Sequence, residues 1–490
     1  MTPITVLPTA SSINLYSRVA YLAQYQPAKI AIETPKEQIT YAALDETARR
    51  IATLLRQAGV APGDIVGVRL RDTPQHVAAL FAVMRVGGAV LPLDWRGTRA
   101  EFDRIVGQFR PKAFLGDDAS ALAWAPTFID VAASAEASAD NEAVVEPPDG
   151  ALAYTLTSGT TGQPKAMIAT HDQTYARCMT RALEGMCEPG DRYMTTLPLA
   201  YLAGREHALN PLIIGATLVM FPTMFSPREL VDFVNARAIT VFNLSPNMSR
   251  RLLGIAGAAG DLLMPKVRTM ISTTGKLDPH ERVLLRQHLV PRVIDYYGNS
   301  GAGPIAIMSR EEDATEPTAA GRVALGVEVQ IFDDDGGPLP DGEVGAIRIR
   351  GRAITTNMAG ADEVRGEGLR DGWYYPGDLG KFDDRGVLHL MGRNADLIKR
   401  GGLMIHAQEV ERAIREHPDV IDVAVVGVAS RDLGQEVVAF MEVRNPIDPK
   451  EMSRQLRGKL APYKVPTRYE TIDGLPRNPA GKVVKAKLTG

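Results

Sequence analysis

The sequence predicts an α/β protein: a large N-terminal domain of layered, mostly parallel sheets with helices and a small β-barrel-like part, then a small C-terminal α/β domain. Three observations carry that expectation. The chain has 490 residues and 45% hydrophobic content, enough for a substantial core and too long for one compact domain. Apolar positions alternate between helical and strand periods along most of the chain, the pattern of strand, helix, strand units. In IFDDDGGPLPDGEVGAIRIRG the pattern changes to two β runs across a Gly/Pro/Asp turn, hence the antiparallel, barrel-like part.

Taken in order, Leu44, Ala48, Ile51 and Leu55 recur at helical spacing, and Gly59 follows where a helix C-terminus favours a left-handed residue. IVGVRL then reads as a strand, a helix begins near Gln75, and AVLPLD reads as the next strand, which implies parallel pairing. ATLVMF and TVFNL repeat the strand pattern. After a linker near Arg393, AQEVERAIREHP and VIDVAVVGV repeat helix and strand on a smaller scale, which sets the domains at 1–392 and 393–490.

The formal net charge of −3 conceals an asymmetry. Residues 393–490 carry 17 Lys+Arg and 13 Asp+Glu, a balance of +4, which leaves 38 basic and 45 acidic residues, or −7, for 1–392. The basic tail is interrupted by acids and has no nucleic-acid-binding signature, so it fits small anions or an acidic carrier protein and excludes a nucleic-acid partner. Two cysteines, Cys178 and Cys187, give no disulfide framework and fit a reducing compartment. The N-terminus has no basic segment followed by an apolar run, and no apolar segment is long enough to span a bilayer. The expectation is a cytoplasmic protein without membrane contact.

One stretch, LTSGTTGQPKAMIATH from Leu156 to His171, packs hydroxyls, glycines and one lysine between apolar sequence. Glycines permit close backbone approach, Ser and Thr donate hydrogen bonds, and Lys165 adds a compact positive charge, which are the needs of a phosphate. It is not a P-loop. Only two residues separate Gly159 from Gly162, and Pro164 removes a backbone donor where a P-loop helix would begin. The expectation is a hairpin-like loop.

TSGTTGQPK resembles the signature loop of the adenylate-forming (ANL) superfamily, which comprises acyl-CoA synthetases, carrier-protein-loading adenylation domains and luciferases. The resemblance spans nearly the whole chain: GGAVLPLD, GRVALGVEVQIFDDDG, GEVGAIRIRG, DGWYYPGDLG, GRNADLIKRGG and PRNPAGKVVK follow in the family's order. It implies that a carboxylic acid is coupled to AMP from ATP with loss of pyrophosphate, and that a thiol then takes the acyl group. Thr157, Ser158, Gly159, Thr160, Thr161, Gly162 and Lys165 match the family's β/γ-phosphate loop. Asp295, Tyr297, Gly298 and Ser300 match the adenine segment, and Asp378 and Arg393 the ribose contacts. Lys482 matches the lysine that bridges carboxylate and α-phosphate, so Lys482 and Lys165 are the candidate catalytic residues. Because Lys482 lies in the small domain, the resemblance places a hinge at Ala395 and Asp396. His171, which also follows the loop in the family, has no proton to move from an ionised carboxylate and reads as structural.

Three positions depart from the pattern. Gly301, in YGNSGAG, stands where the family has a glutamate that assists Mg²⁺. Ala395 stands where Asp or Lys is usual, and Tyr201 where acyl-CoA synthetases often have His. The resemblance lines the acid pocket with YLAGREH, FNLSPN and STTGKL, hence with Tyr201, Gly204, Thr274, Gly275 and Lys276. YLAGREH lacks the Asp that holds an α-amine, against an amino-acid substrate. Arg205, Glu206, His207 and Lys276 read individually as loop or rim charges; a Lys276 that points inward would favour an acid with a second polar or anionic group. KRGGLMIHAQEVE is similar to the segment before the CoA-accepting face of small-acid and aryl-acid ligases, so the acceptor expected is CoA. Two alternatives stay open: an enzyme that loads a carrier protein or another acceptor, and a nucleotide-binding homologue with reduced catalysis, motivated by Gly301. Cofactors are ATP and Mg²⁺, with no protein ligand for the metal assigned. The acid and the oligomeric state are not fixed by the sequence.

Overall fold

A computed structural model describes residues 13–118, 127–147, 149–157, 165–222, 225–257, 261–273, 275, 277–308, 316–333, 335–359, 367–393, 396–401, 403–430, 432–477 and 483–488. The chain divides into two compact units, one of Met1–Ser309, Val323–Glu328 and Arg350–Val364, the other of Arg310–Arg322, Val329–Ile349 and Arg365–Gly490. This grouping puts most of the barrel-like strands with the C-terminal residues, whereas a division at 392/393 puts them with the N-terminal ones.

The first unit contains two sheets. One runs in the order Asn357–Ala359, Lys165–Thr170, Ala151–Thr157, Ala89–Pro92, Ile65–Arg69, Ala113–Gly116, Phe128–Asp130. Its last five strands pair in parallel, and Ala151–Thr157 pairs antiparallel with Lys165–Thr170. In the other, Ile30–Glu33, Thr217–Met220, Arg192–Thr195, Val241–Leu244, Thr269–Ser272 and Val293–Asn299 are parallel neighbours, and Gly303–Met308 returns antiparallel on Val293–Asn299. The parallel strands are near-continuous apolar runs because helices cover them.

Those helices form where the sequence predicts. Tyr41–Gln57 starts on the Thr40 side chain, which accepts from the Ala43 amide, and buries Leu44, Ala48, Ile51 and Leu55. Gly59 adopts φ +75°, which ends the helix at little steric cost. Pro74–Arg85 opens with proline at its first position after Thr73 and is buried on nearly every side. His171–Leu183 begins with a capping box between Thr170 and Gln173. Leu202–Ile214 ends at Gly215, φ +95°, and is buried from Gly204 to Ile213. Gly204 is required by close approach: a Cβ there would lie 2.0 Å from the Pro198 carbonyl oxygen.

In the second unit, the strands Glu367–Arg370, Trp373–Pro376, Gly345–Gly351, Asp378–Phe382, Leu388–Arg393 and Ala319–Val323 are successive neighbours with antiparallel pairing, and Val327–Phe332 pairs with Gly345–Gly351. This is the expected switch from parallel to antiparallel sheet. A further sheet carries Leu403–His406, Leu397–Arg400, Gly434–Val443 and Val420–Ser430, with Arg468–Thr471 beside Gly434–Val443. The helices Ala407–Arg415 and Pro449–Arg457 bury Val410, Ile414, Met452 and Leu456 in its core. No helix among the described residues is long and apolar enough to cross a membrane.

Candidate functional site

The phosphate-type loop joins two antiparallel strands whose register pairs Thr157 with Lys165, so a hairpin and not a helix start presents it. Ser158, Gly159, Thr160, Thr161 and Gly162 lie outside the described residues. Lys165 opens the return strand and is 6% exposed. Two residues before Thr157, the Thr155 hydroxyl accepts from Arg205 Nη2 at 3.2 Å.

The adenine-type segment lies on Val293–Asn299. Strand alternation sends Asp295 and Tyr297 to one face and Tyr296 to the other. Asp295 is buried, and its Oδ2 accepts from Arg282 Nη1 at 3.2 Å and from the Leu277 amide at 3.4 Å. At Gly298 a Cβ would lie 2.3 Å from the Gly303 carbonyl oxygen, so this position admits only glycine. Ser300 is half-buried in the turn that follows. At Gly301 the amide donates to Asn299 Oδ1 at 2.9 Å, and the carbonyl accepts from Arg177 Nη2 at 3.0 Å and from the Thr355 amide at 2.6 Å. The position offers peptide groups and no carboxylate. Among the described residues no group of three His, Cys, Asp or Glu is placed to hold a metal.

The structure corrects the reading of Arg205, Glu206 and His207 as loop or rim charges. All three lie on the helix Leu202–Ile214 and are at most 4% exposed. Glu206 pairs with Arg177 Nη1 at 2.6 Å and with Arg181 Nη2. Burial alone would raise its pKa; Arg181 and Arg177 outweigh burial and bring it to about 2. Burial pushes Arg205 down to about 10 against the opposing pull of Glu206, and its other partners are the Leu199 and Ala200 carbonyls. Burial, reinforced by Arg181, depresses His207 to about 3, so it is neutral. Tyr201, just before the helix, donates its hydroxyl to Asp94 Oδ2 at 2.8 Å. A Cβ at Gly275 would lie 3.2 Å from the Pro246 ring, while Thr274 and Lys276 fall outside the described residues. His171 is buried, accepts from the Leu15 amide at 3.1 Å and is held near 4 by burial, in keeping with a structural role.

In the second unit, Asp378 and Arg393 face each other across two antiparallel strands, Nε to Oδ1 at 3.2 Å. Asp396 and Glu411 both pair with Lys485, at 3.5 and 2.8 Å. Lys482 and Ala395 lie outside the described residues. The sequence reading missed Arg177, Arg181, Tyr193 and Tyr296. Its available signal was Arg177 and Arg181 at i, i+4 on one face of a capped helix, opposite an acid about one helix later.

Comparison with known proteins supplies the frame for these residues. Residues 19–358 match the family model described as AMP-binding enzyme, and residues 409–482 that of the AMP-binding enzyme C-terminal domain. The chain is 30% identical to an indoleacetate–CoA ligase of Aromatoleum aromaticum, covering 94% of this chain and 95% of that one. It is 28% identical to a fatty acid–[acyl-carrier-protein] ligase of Streptomyces coeruleorubidus, covering 97% and 96%. Among solved structures, o-succinylbenzoate CoA synthetase from Bacillus subtilis with its acyl-adenylate intermediate aligns with a TM-score of 0.87 at 25% identity, over 98% of this chain and 99% of that one. The same enzyme is also known with ATP and a magnesium ion.

Proposed function

This chain belongs to the family of AMP-binding enzymes, and from that premise we propose how its residues serve an AMP-forming acid–CoA ligase. The enzyme activates a carboxylic acid with ATP and transfers the acyl group to a thiol. In the first step a carboxylate oxygen attacks the α-phosphorus, the bond to the β-phosphate oxygen breaks, and pyrophosphate leaves. In the second the CoA sulfur attacks the acyl carbon, loses its proton, and AMP leaves.

The observation that carries the assignment is the hairpin ending at buried Lys165, with a loop of hydroxyls and glycines between strands in fixed register. Thr157, Ser158, Gly159, Thr160, Thr161, Gly162 and Lys165 hold the β- and γ-phosphates. Tyr297 and Gly298 lie against adenine. Asp295, anchored by Arg282, accepts from its amine with the carboxylate capacity that remains. Asp378 accepts from the ribose hydroxyls beside Arg393, and Lys482 bridges the carboxylate and the α-phosphate, where negative charge concentrates. The division at 392/393 and the hinge at Ala395 and Asp396 let Lys482 be delivered for the first step and withdrawn for the second. Magnesium would supply charge neutralisation at the phosphates; with Gly301 in place of a carboxylate, this position would add no side-chain ligand and would leave the ion to phosphate oxygens and water.

CoA is the acceptor best supported, by the KRGGLMIHAQEVE segment and the CoA ligases among the relatives. A carrier protein is the second reading, supported by the relative that acts on one and by the +4 balance of residues 393–490. Two buried free thiols, Cys178 and Cys187, support a cytoplasmic location. The test is product analysis by mass spectrometry with ATP, Mg²⁺ and aliphatic, aryl and dicarboxylic acids, with and without CoA. Acyl-CoA formed together with pyrophosphate supports the reading. Acyl-AMP that accumulates despite CoA moves the acceptor to a carrier protein, and ATP binding without release returns the non-catalytic alternative.

A further inference from the structure

Among the described residues, one buried cation of the helix Leu202–Ile214 has no ion pair. Glu206 gives one carboxylate oxygen to Arg177 and the other to Arg181. Arg205 bonds neutral oxygens instead: Nη1 donates to the Leu199 and Ala200 carbonyls at 3.3 and 2.9 Å, and Nη2 to Thr155 Oγ1 at 3.2 Å. Arg177, Arg181 and Arg205 are each at most 3% exposed, and Glu206 is the one carboxylate bonded to this group among the described residues. Burial draws Arg205 down to about 10, so it is still charged at neutral pH. A buried charge without a counter-charge is costly, and an anion that binds nearby lowers the cost.

The place of Thr155 in the fold points to the anion. Alternation along the strands sorts the two faces of the hairpin. Tyr154, Leu156 and Ala166 pack with Leu91, Leu93 and Phe114 in one apolar cluster, so Thr155, Lys165 and Met167 face the other way. Thr155 stands opposite Met167 in register, and Lys165 is two residues from Met167 on the same strand. Strand spacings then put the Cα atoms of Thr155 and Lys165 roughly 8 Å apart. Arg205 therefore meets the hairpin on the face that carries Lys165. It is also held in place before any ligand arrives. Thr155 lies on a strand paired on both sides, and the turn that supplies the two carbonyls is fixed in turn by the Leu199 amide, which donates to Asp72 Oδ1 at 2.8 Å. A preorganised charge costs no rearrangement when the ligand binds.

Resting on the assignment of Lys165 to the β- and γ-phosphates, we propose that Arg205 is a second cation of the triphosphate site, a positioning residue that acts through its field and does not touch the nucleotide. It favours ATP and the leaving pyrophosphate over AMP, which lacks those two phosphates. At roughly 10 Å and an effective dielectric of about 20, one unit charge acting on another changes affinity by about tenfold or more.

Calorimetric titration with α,β-methylene-ATP and with AMP, both with Mg²⁺ and without acid, reads this effect without turnover. In Arg205→Met the preference for the analogue over AMP falls by at least about tenfold, while the affinity for AMP stays within about threefold. Arg205→Lys restores the charge and keeps the preference within about threefold of the wild type. A merely structural role weakens both ligands alike and leaves their ratio unmoved. Lys165→Ala, with Arg205 in place, retains part of the preference, which reads the proposal even where Arg205→Met does not fold. Four results overturn it: a wild type that binds the two ligands equally, a folded Arg205→Met protein with the full preference, an Arg205→Lys preference as low as that of Arg205→Met, or a Lys165→Ala protein with no preference left. The predicted shift in a protein that releases no pyrophosphate with any acid sustains this assignment and sinks the ligase reading. Acid-dependent release from a protein without the shift does the reverse.

Discussion

Two charge clusters, one in each unit, differ in how far they are withdrawn from water. In the first, Arg177, Arg181 and Glu206 are each at most 4% exposed and bond one another. In the second, Arg393, whose side chain is 35% exposed, pairs with buried Asp378, and Lys485 pairs with Asp396 and with buried Glu411. A buried triad cannot change partners without stranding a charge in low dielectric, so it fixes the packing between its two helices. The Asp378–Arg393 pair has one partner open to water, so solvent screens it more than it screens the triad. Similar residue types are thus fully withdrawn from water in one cluster and partly open to it in the other.

The sharpest way to break this contrast is Glu206→Gln, which leaves two buried guanidiniums without their carboxylate. Its stability to urea falls by about 3–5 kcal/mol; a loss within about 1 kcal/mol would make the triad no different from a surface pair. The pH dependence carries the same signature. The Glu206 pKa is about 2 in the folded protein against an ordinary 4.5. A depressed carboxyl lends stability that is complete above the unfolded value and is lost as pH falls through the folded one. Wild-type stability therefore loses this contribution between about pH 4.5 and about 2, and Glu206→Gln lacks that component.

Next in size is Lys482→Ala, expected to slow acyl-adenylate formation by about 10²–10³-fold, the scale of removing one preorganised charge. Thioester formation from preformed acyl-AMP is spared, and equal loss of both steps would refute separate delivery of this lysine. Arg393→Ala raises KM for ATP about tenfold with stability changed by less than about 1 kcal/mol. A large loss of stability would place it with the buried triad. Smallest is Lys459→Ala, whose pair with Glu416 is exposed on both sides; it shifts stability by about 0.5 kcal/mol or less, an effect that shrinks at high salt.

What the sequence disclosed follows the same division. Helix periodicity gave Tyr41–Gln57 with its Gly59 stop, and the loop composition gave the hairpin at Lys165, because these features are written in adjacent residues. Asp378 and Arg393, 15 residues apart in sequence, were singled out by motif and lie opposite in register. The buried triad was illegible because Arg177 and Glu206 stand 29 positions apart, on two helices. Read one at a time, Arg205, Glu206 and His207 have the statistics of surface residues. Only their packing against Arg177, Arg181 and Tyr193 makes them core.

The central claim, that this chain forms an acyl-adenylate reversibly from ATP and an acid, is tested most directly by isotope exchange between labelled pyrophosphate and ATP without any acceptor. The account predicts exchange that requires both Mg²⁺ and an acid and is lost in Lys482→Ala. Absence of exchange with every acid, in a protein that demonstrably binds ATP, would contradict it.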